Sequence, residues 1–500
     1  MSEKYDCIII GAGIGGLTAA SILARNGKKV LVLEKNPKVG GYAVNFRRGQ
    51  FEFDASLHMI NGCNKDQSTY NILKKCGIID KIKILAHPYI SRTIFPDYDF
   101  RVPQANMAEY INILVQYFPK EREGIGRFFE EMRKVFVEGK QCIYSKIPLL
   151  IEIFYFPFKY PNLFKYSFIT FRAALNRFLK DERLKALIAQ FWMFTGTHPN
   201  KLCAFFYLYP DYDYLNNGAN YIKGGSQSLS NALLETIREN GGEVLLNTEV
   251  KNILVDNCTA KGISTQKEEY FADTIISGMD ARKTFSDLIG ERYLKPRFIK
   301  KLMSYDAATS FLVVYLGLGV DLKDKGISDY EIFYNLDYDL EKQFNASVNN
   351  NMEETSLMLT IHSNIDEDVV PRGKSSMSIS TLSGYDYWTN LSKDDYNKTK
   401  NRLADILIKR AERVIPNLSS YIEKIEVATP LTMERYTGNY KGAVLGFSQT
   451  VFQSGIWRLP QKAPIKNLYL ANAWTWLGGG ISCTLYSGER IAEAILKRYN

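Results

Sequence analysis

An α/β fold is predicted by three observations at the start of the chain. An apolar, β-branched run from Tyr5 to Ile10 ends at the glycine turn GAGIGG; a helical stretch, Leu17 to Asn26, leads to a second apolar run, Lys29 to Leu33; and a carboxylate, Glu34, closes that run. Strand, glycine turn, helix, strand and acid in this order make the opening unit of a Rossmann-type nucleotide-binding domain.

Each part of the unit has a physical task. In the run Gly11, Gly13, Gly15 and Gly16, the first glycine permits the tight turn and Gly13 lets the backbone approach a pyrophosphate. Gly16 lets the helix pack close to the strand, and the helix N-terminus faces the phosphates. Glu34, with Lys35 beside it, stands where a carboxylate accepts hydrogen bonds from ribose hydroxyls. Its charge repels a 2′-phosphate, which leaves FAD or NAD and disfavours NADP.

Composition bounds the rest. A chain of 500 residues exceeds what one core usually supports, so two domains are expected. With 46% hydrophobic and 23% charged residues it is globular, and its 13% aromatic content exceeds what a nucleotide fold needs. The formal charge of +9 comes from scattered Lys and Arg, without a basic helix, finger or stacking motif, so nucleic acid is not an expected partner. An anionic membrane surface suits that charge better. The seven cysteines are odd in number, widely spaced and lack a CxxC pair, so reduced thiols are expected rather than disulfides or zinc. His58, His87, His198 and His362 form no HxxxH pair, and no metal site is expected. The opening residues contain no cleavable apolar segment, which places the chain on the cytoplasmic side.

Three further stretches carry a resemblance. After Glu34 come Gly40 and Gly41, then FEFDASLH with Phe51, Phe53, Asp54 and His58; YIKGGSQSLSNALLETIRENGGEVLLNTEVKNILV spans Tyr221 to Val255; and NLYLANAWTWLGGGISCTLYSGERIAEAIL spans Asn467 to Leu496. In these the chain resembles the phytoene desaturases, carotenoid isomerases and retinol saturases, within the wider amine-oxidase-like flavoproteins. The resemblance implies FAD as cofactor, bound by a discontinuous domain of glutathione-reductase-like architecture formed by 1–75, 214–289 and 427–500. It implies backbone contact with the adenine near Val250, and a helix starting at Gly480 and Ile481 aimed at the flavin N1 and C2 carbonyl. Asn472 and Ala473 depart from the family's usual glycine, Tyr42 replaces an arginine, and Cys483 is read as a small packing residue.

Residues 76–213 and 290–426 are assigned to an α+β substrate-binding domain that faces a membrane. Within it, Cys142 to Arg177 is rich in Ile, Leu, Phe and Tyr, with Lys and Arg interspersed and prolines at 148, 157 and 161. No apolar run there approaches the ~20 residues of a spanning helix. The segment reads equally as an interfacial anchor on the cytoplasmic membrane or as a buried aromatic core with a basic rim.

The resemblance implies a lipophilic substrate, a long conjugated isoprenoid that is saturated or isomerised at the flavin. Desaturation is the alternative. A non-enzymatic lipid carrier of the GDP dissociation inhibitor fold is a second one. His58 is a candidate proton donor or a structural histidine. Arg435 and Tyr436, in a stretch resembling the loop that enters the flavin-facing cavity, either lend it polarity or lie in solvent. There is no second glycine fingerprint for a nicotinamide, so the electron donor or acceptor is external and unnamed by the sequence.

Overall fold

In the computed structural model, which describes residues 4–143, 145 and 155–499, the opening unit folds as β1 (Tyr5–Ile10), α1 (Ile14–Arg25) and β2 (Val30–Leu33). The helix begins at Ile14 rather than at the expected Leu17, because extended Gly13 caps it and the last two glycines lie in its first turn. Contact requires those two glycines. A Cβ on Gly15 would sit 2.3 Å from the Ala471 carbonyl oxygen, and one on Gly16 would sit 2.6 Å from that of Gly11. All of α1 from Ile14 to Ala24 is buried, as befits a helix apolar on every side. It packs against the last helix, Ile481–Tyr499, at Gly488, where a Cβ would meet the Gly15 carbonyl oxygen at 2.3 Å.

β1 lies at the centre of a parallel sheet. Residues 7–10 pair with 30–33 on one side and with 274–277 on the other. Glu243–Leu245 extends the sheet beyond β2, and Leu468–Leu470 extends it beyond Glu269–Ser277. Strands from three distant stretches thus share one sheet. The first half of Glu269–Ser277 also closes an antiparallel meander with Thr259–Ser264 and Asn252–Asp256.

A second, mixed sheet of seven strands runs in the order Ile422–Ala428, Ser310–Leu318, Ser375–Ser383, Leu357–Thr360, Glu331–Tyr334, Tyr89–Phe95, Tyr98–Pro103. Its period of two separates two cores. Leu312, Val314, Leu316, Met377 and Ile379 pack with Leu403 and Leu407 of helix Lys393–Ala411, whereas Phe311, Val313, Tyr315, Met358 and Leu382 join the aromatic core of the helices between 107 and 217. That second face is the floor of the site. Among the described residues no helix is long and apolar enough to cross a membrane. Residues 144 and 146–154 of the aromatic segment lie outside the described residues.

Candidate active site

A cavity of about 520 Å³ opens where the glycine turn of α1, the start of the last helix and the floor of the second sheet converge. At its nucleotide end Gly13 presents bare backbone, with nothing within 4 Å of a Cβ placed there. Gly40 and Gly41 lie directly on this turn. The Gly40 N–H donates to the Ala12 carbonyl at 2.7 Å, and Gly41, at φ +65°, would bring a Cβ within 3.3 Å of the Gly13 Cα. Gly41 therefore keeps the turn open, while a Cβ on Gly40 would meet the Ala43 carbonyl oxygen at 2.1 Å.

Glu34 is buried at the same end and organises it. One carboxylate oxygen accepts from the Ala12 N–H at 2.8 Å, and the other accepts from the Asn36 N–H at 2.9 Å and its amide at 2.8 Å. The oxygen bonded to Ala12 keeps a lone pair for a ribose hydroxyl. Gly11 and Val250 line this end, and exposed Lys35 lies at its rim. Burial and the neighbouring Lys283 lower the Lys35 pKa.

Gly15, Asn472, Gly480 and Ile481 line the middle of the cavity. The first amides of helix Ile481–Tyr499 have no partner within the helix, and they are the natural donors to an electron-rich ring. The helix start is tied down by a relay: the Ser482 hydroxyl donates to Asn61 Oδ1 at 2.7 Å, and the Asn61 amide donates to Asp213 at 2.6 Å. Asn472 has its side chain engaged within the protein. Its amide donates to the Met279 carbonyl at 2.7 Å while its oxygen accepts from the Trp474 N–H at 3.0 Å. It shapes the wall instead of reaching into the cavity. Gly16 packs behind the turn and does not line the cavity.

His58 lines the cavity over the sheet floor. Its Nδ1 lies 2.7 Å from the Thr360 hydroxyl and 3.4 Å from Glu331, whose carboxylate is buried. Burial alone would lower the imidazole pKa, but Glu331, and Asp54 further off, outweigh it and raise the pKa above its ordinary value. Nearby His362 goes the other way, lowered to about 4 by burial. Asp54 itself is structural. It accepts from the Ser226 N–H at 2.6 Å and from the Leu57 N–H at 2.9 Å, fixing the stretch that carries His58.

Two expectations need correction. The stretch from Thr429 is a helix, Pro430–Thr437, not a loop; Thr429 caps it, proline takes its first turn, and Gly438 ends it in the left-handed conformation. Its C-terminal end is bound to the nucleotide end, with the Asn36 amide donating to the Tyr436 carbonyl at 3.0 Å and Lys35 Nζ to the Arg435 carbonyl at 3.4 Å. Arg435 is exposed, its guanidinium 4.8 Å from the Tyr436 ring, and does not line the cavity. Tyr436 is exposed and lines the cavity, its carbonyl held by Asn36 beside Glu34. Cys483 is half-buried and part of the cavity wall, its thiol pushed up by burial to about 11.

Sequence reasoning missed Glu331, Thr360, Asp211 and Arg458. Arg458 is buried behind the Gly478 to Gly480 run and donates to the carbonyls of Thr475 at 2.6 Å, Phe447 at 2.9 Å and Ala473 at 2.9 Å. Burial lowers its pKa to about 9. Beyond His58 the cavity is walled by Phe191, Phe194, Phe205 and Tyr209 above and by Phe311, Val313 and Met358 below.

Comparison with known proteins agrees with this architecture. The chain is 28% identical over 506 residues to the chloroplastic prolycopene isomerase of Daucus carota, covering 99% of this chain and 80% of the relative. It is 26% identical over 537 residues to all-trans-retinol 13,14-reductase of Rattus norvegicus, covering 99% of this chain and 86% of that protein. The solved structure of wild-type putrescine oxidase bound to putrescine superimposes with a TM-score of 0.67 at 13% identity, covering 100% of both chains, and so shares the fold. The sequence model of the flavin-containing amine oxidoreductases matches residues 14–496. The chain therefore belongs to the family of flavin-containing amine oxidoreductases and is an FAD-dependent enzyme with their α/β fold.

Proposed function

We propose that this enzyme holds a long conjugated polyene, of carotenoid or retinoid type, against its flavin and saturates or isomerises it. One observation carries the reading: one cavity is lined both by the glycine turn and Glu34 and by an apolar set of Phe191, Phe194, Phe205, Phe311, Val313 and Met358. Walls of this kind suit a ligand that is apolar over most of its surface. The names of the prolycopene isomerase and retinol reductase relatives fit such a ligand.

The residues present fit FAD. Bare backbone at Gly13 suits a pyrophosphate, the Glu34 carboxylate suits ribose hydroxyls, and the free amides at Ile481 suit the ring's electron-rich edge. When bound, the flavin supplies hydride transfer at N5. The chain's own work is to exclude water with aromatic walls, to seat the double bonds, and to hold a proton at His58. Glu331 and Thr360 orient that imidazole, and Glu331 favours its charged form. A non-enzymatic carrier would have no need of the open glycine turn.

The reading includes peripheral attachment to the cytoplasmic face of a membrane, from which such a substrate would come. Tyr155, Phe158, Phe164 and Phe168 are exposed, Phe158 by 83%, with Lys159 and Lys165 among them. Phe452, Ile456 and Trp457 are exposed as well. The two groups are joined through Thr170, which bridges to Cys203, whose N–H donates to the Gln449 carbonyl at 2.8 Å. Aromatic side chains ringed by cations suit anionic headgroups.

The test is product analysis by chromatography. Protein reduced anaerobically with dithionite and protein with oxidised flavin are each given the same detergent-dispersed retinoids and carotenoids. Saturated or isomerised product from the reduced form supports the reading. Desaturated product from the oxidised form alone would move the assignment to a desaturase.

A further inference from the structure

We propose that Asp211 is a hydrogen-bonding anchor for a hydroxyl on the ligand, so that this cavity selects a chain that carries an alcohol over a bare hydrocarbon. The inference rests on the cavity being the substrate site, and it adds the substrate's polar end.

Asp211 belongs to helix Phe205–Asn217 and is only 6% exposed, yet it lines the cavity among Phe191, Phe205, Phe206 and Tyr214. Pro210 precedes it inside the helix. A proline there removes the amide that would bond to the Phe206 carbonyl and opens the helix at this turn. Asp213, two residues on, is occupied by Asn61 at 2.6 Å and Asn217 at 2.5 Å. Among the described residues no amide bonds to Asp211; the Tyr207 hydroxyl, one turn earlier, meets it, and the Tyr110 hydroxyl is a further polar neighbour.

The Tyr207 hydroxyl already donates to the Ile188 carbonyl at 2.9 Å and accepts from the Phe191 N–H at 3.2 Å. With its one proton committed, Tyr207 can only accept from Asp211. The arrangement therefore suits a neutral carboxyl whose O–H meets the phenol oxygen and whose carbonyl oxygen is left for the cavity. Burial acts in the same direction, holding the Asp211 pKa well above the usual carboxylate range. A polar group in an aromatic wall is costly unless a ligand satisfies it. A hydrocarbon cannot, whereas a hydroxyl donates to it directly.

The experiment titrates the FAD-loaded protein with four ligands and follows the flavin absorbance: a polyene alcohol, the same polyene without its hydroxyl, a saturated long-chain alcohol and the matching alkane. Wild type is expected to bind each alcohol about tenfold more tightly than its hydrocarbon. Asp211→Leu should bring both ratios close to one. Asp211→Asn should keep the preference, because an amide also donates and accepts. A wild-type ratio near one, or a preference that survives Asp211→Leu, would overturn the anchor. If saturated chains bind as tightly as polyenes while the alcohol preference persists, the anchor stands and the polyene reading falls.

Discussion

Gly13 and Gly15 lie two residues apart and should fail in different ways. A side chain at Gly13 meets nothing within 4 Å in the protein, so Gly13→Val should fold and yet lose FAD, its flavin absorbance falling about tenfold or more on purification. A methyl at Gly15 meets the Ala471 carbonyl oxygen at 2.3 Å, so Gly15→Ala should cost about 2 kcal/mol of stability in a urea melt. For His58 the raised pKa fixes a sign. Its favourable ion pair with Glu331 contributes fully below the ordinary imidazole pKa near 6.5 and is lost as pH rises through the elevated value. In a histidine NMR titration His58 should therefore titrate above 6.5, and Glu331→Gln should move it down. An unshifted midpoint in that variant would remove Glu331 as the cause. The glycines and Glu34 were legible because their task is local to one turn. Thr360 and Glu331 stand 302 and 273 residues from His58, and nothing in the sequence near FEFDASLH points to them.

Among elements, helix Pro430–Thr437 carried a readable signal in Thr429, Pro430 and Gly438, which are cap, first-turn proline and left-handed stop. Likeness to a family loop obscured it, and of the two readings of Arg435 and Tyr436, polarity in the flavin-facing cavity or a place in solvent, neither put them on a helix end bound beside Glu34. The Arg458 loop gave no signal, because its acceptors are main-chain carbonyls of any sequence. Arg458→Met takes a donor from the carbonyls of Thr475, Phe447 and Ala473 and should cost about 3 kcal/mol in the same melt. For the exposed aromatics, wild type should sediment with anionic liposomes, less so in high salt. Phe158→Ser with Phe452→Ser should weaken binding about tenfold or more. Wild type remaining in the supernatant at low salt would contradict that face.

Across the whole molecule, the parallel sheet could be anticipated because its strands are continuous apolar runs beside recognisable motifs. The second sheet could not. Its interior strand Ser375–Ser383 reads SSMSISTLS, polar by composition, yet it is buried throughout because both faces are covered. The edge strand Ile422–Ala428 also crosses the expected domain boundary after residue 426. What the two sheets build together is the cavity, and its continuity from the glycine turn to the aromatic walls is the central claim. Phe194 is the place to interrupt it, since its ring lies 5.8 Å from His58 and 6.2 Å from Phe191. Polyene turnover by Phe194→Arg, measured beside its FAD content and its reduction by dithionite, tests this most directly. Turnover should fall about a hundredfold or more while FAD content and reduction stay as in wild type; turnover unchanged in the blocked protein would show that the polyene does not pass through this cavity.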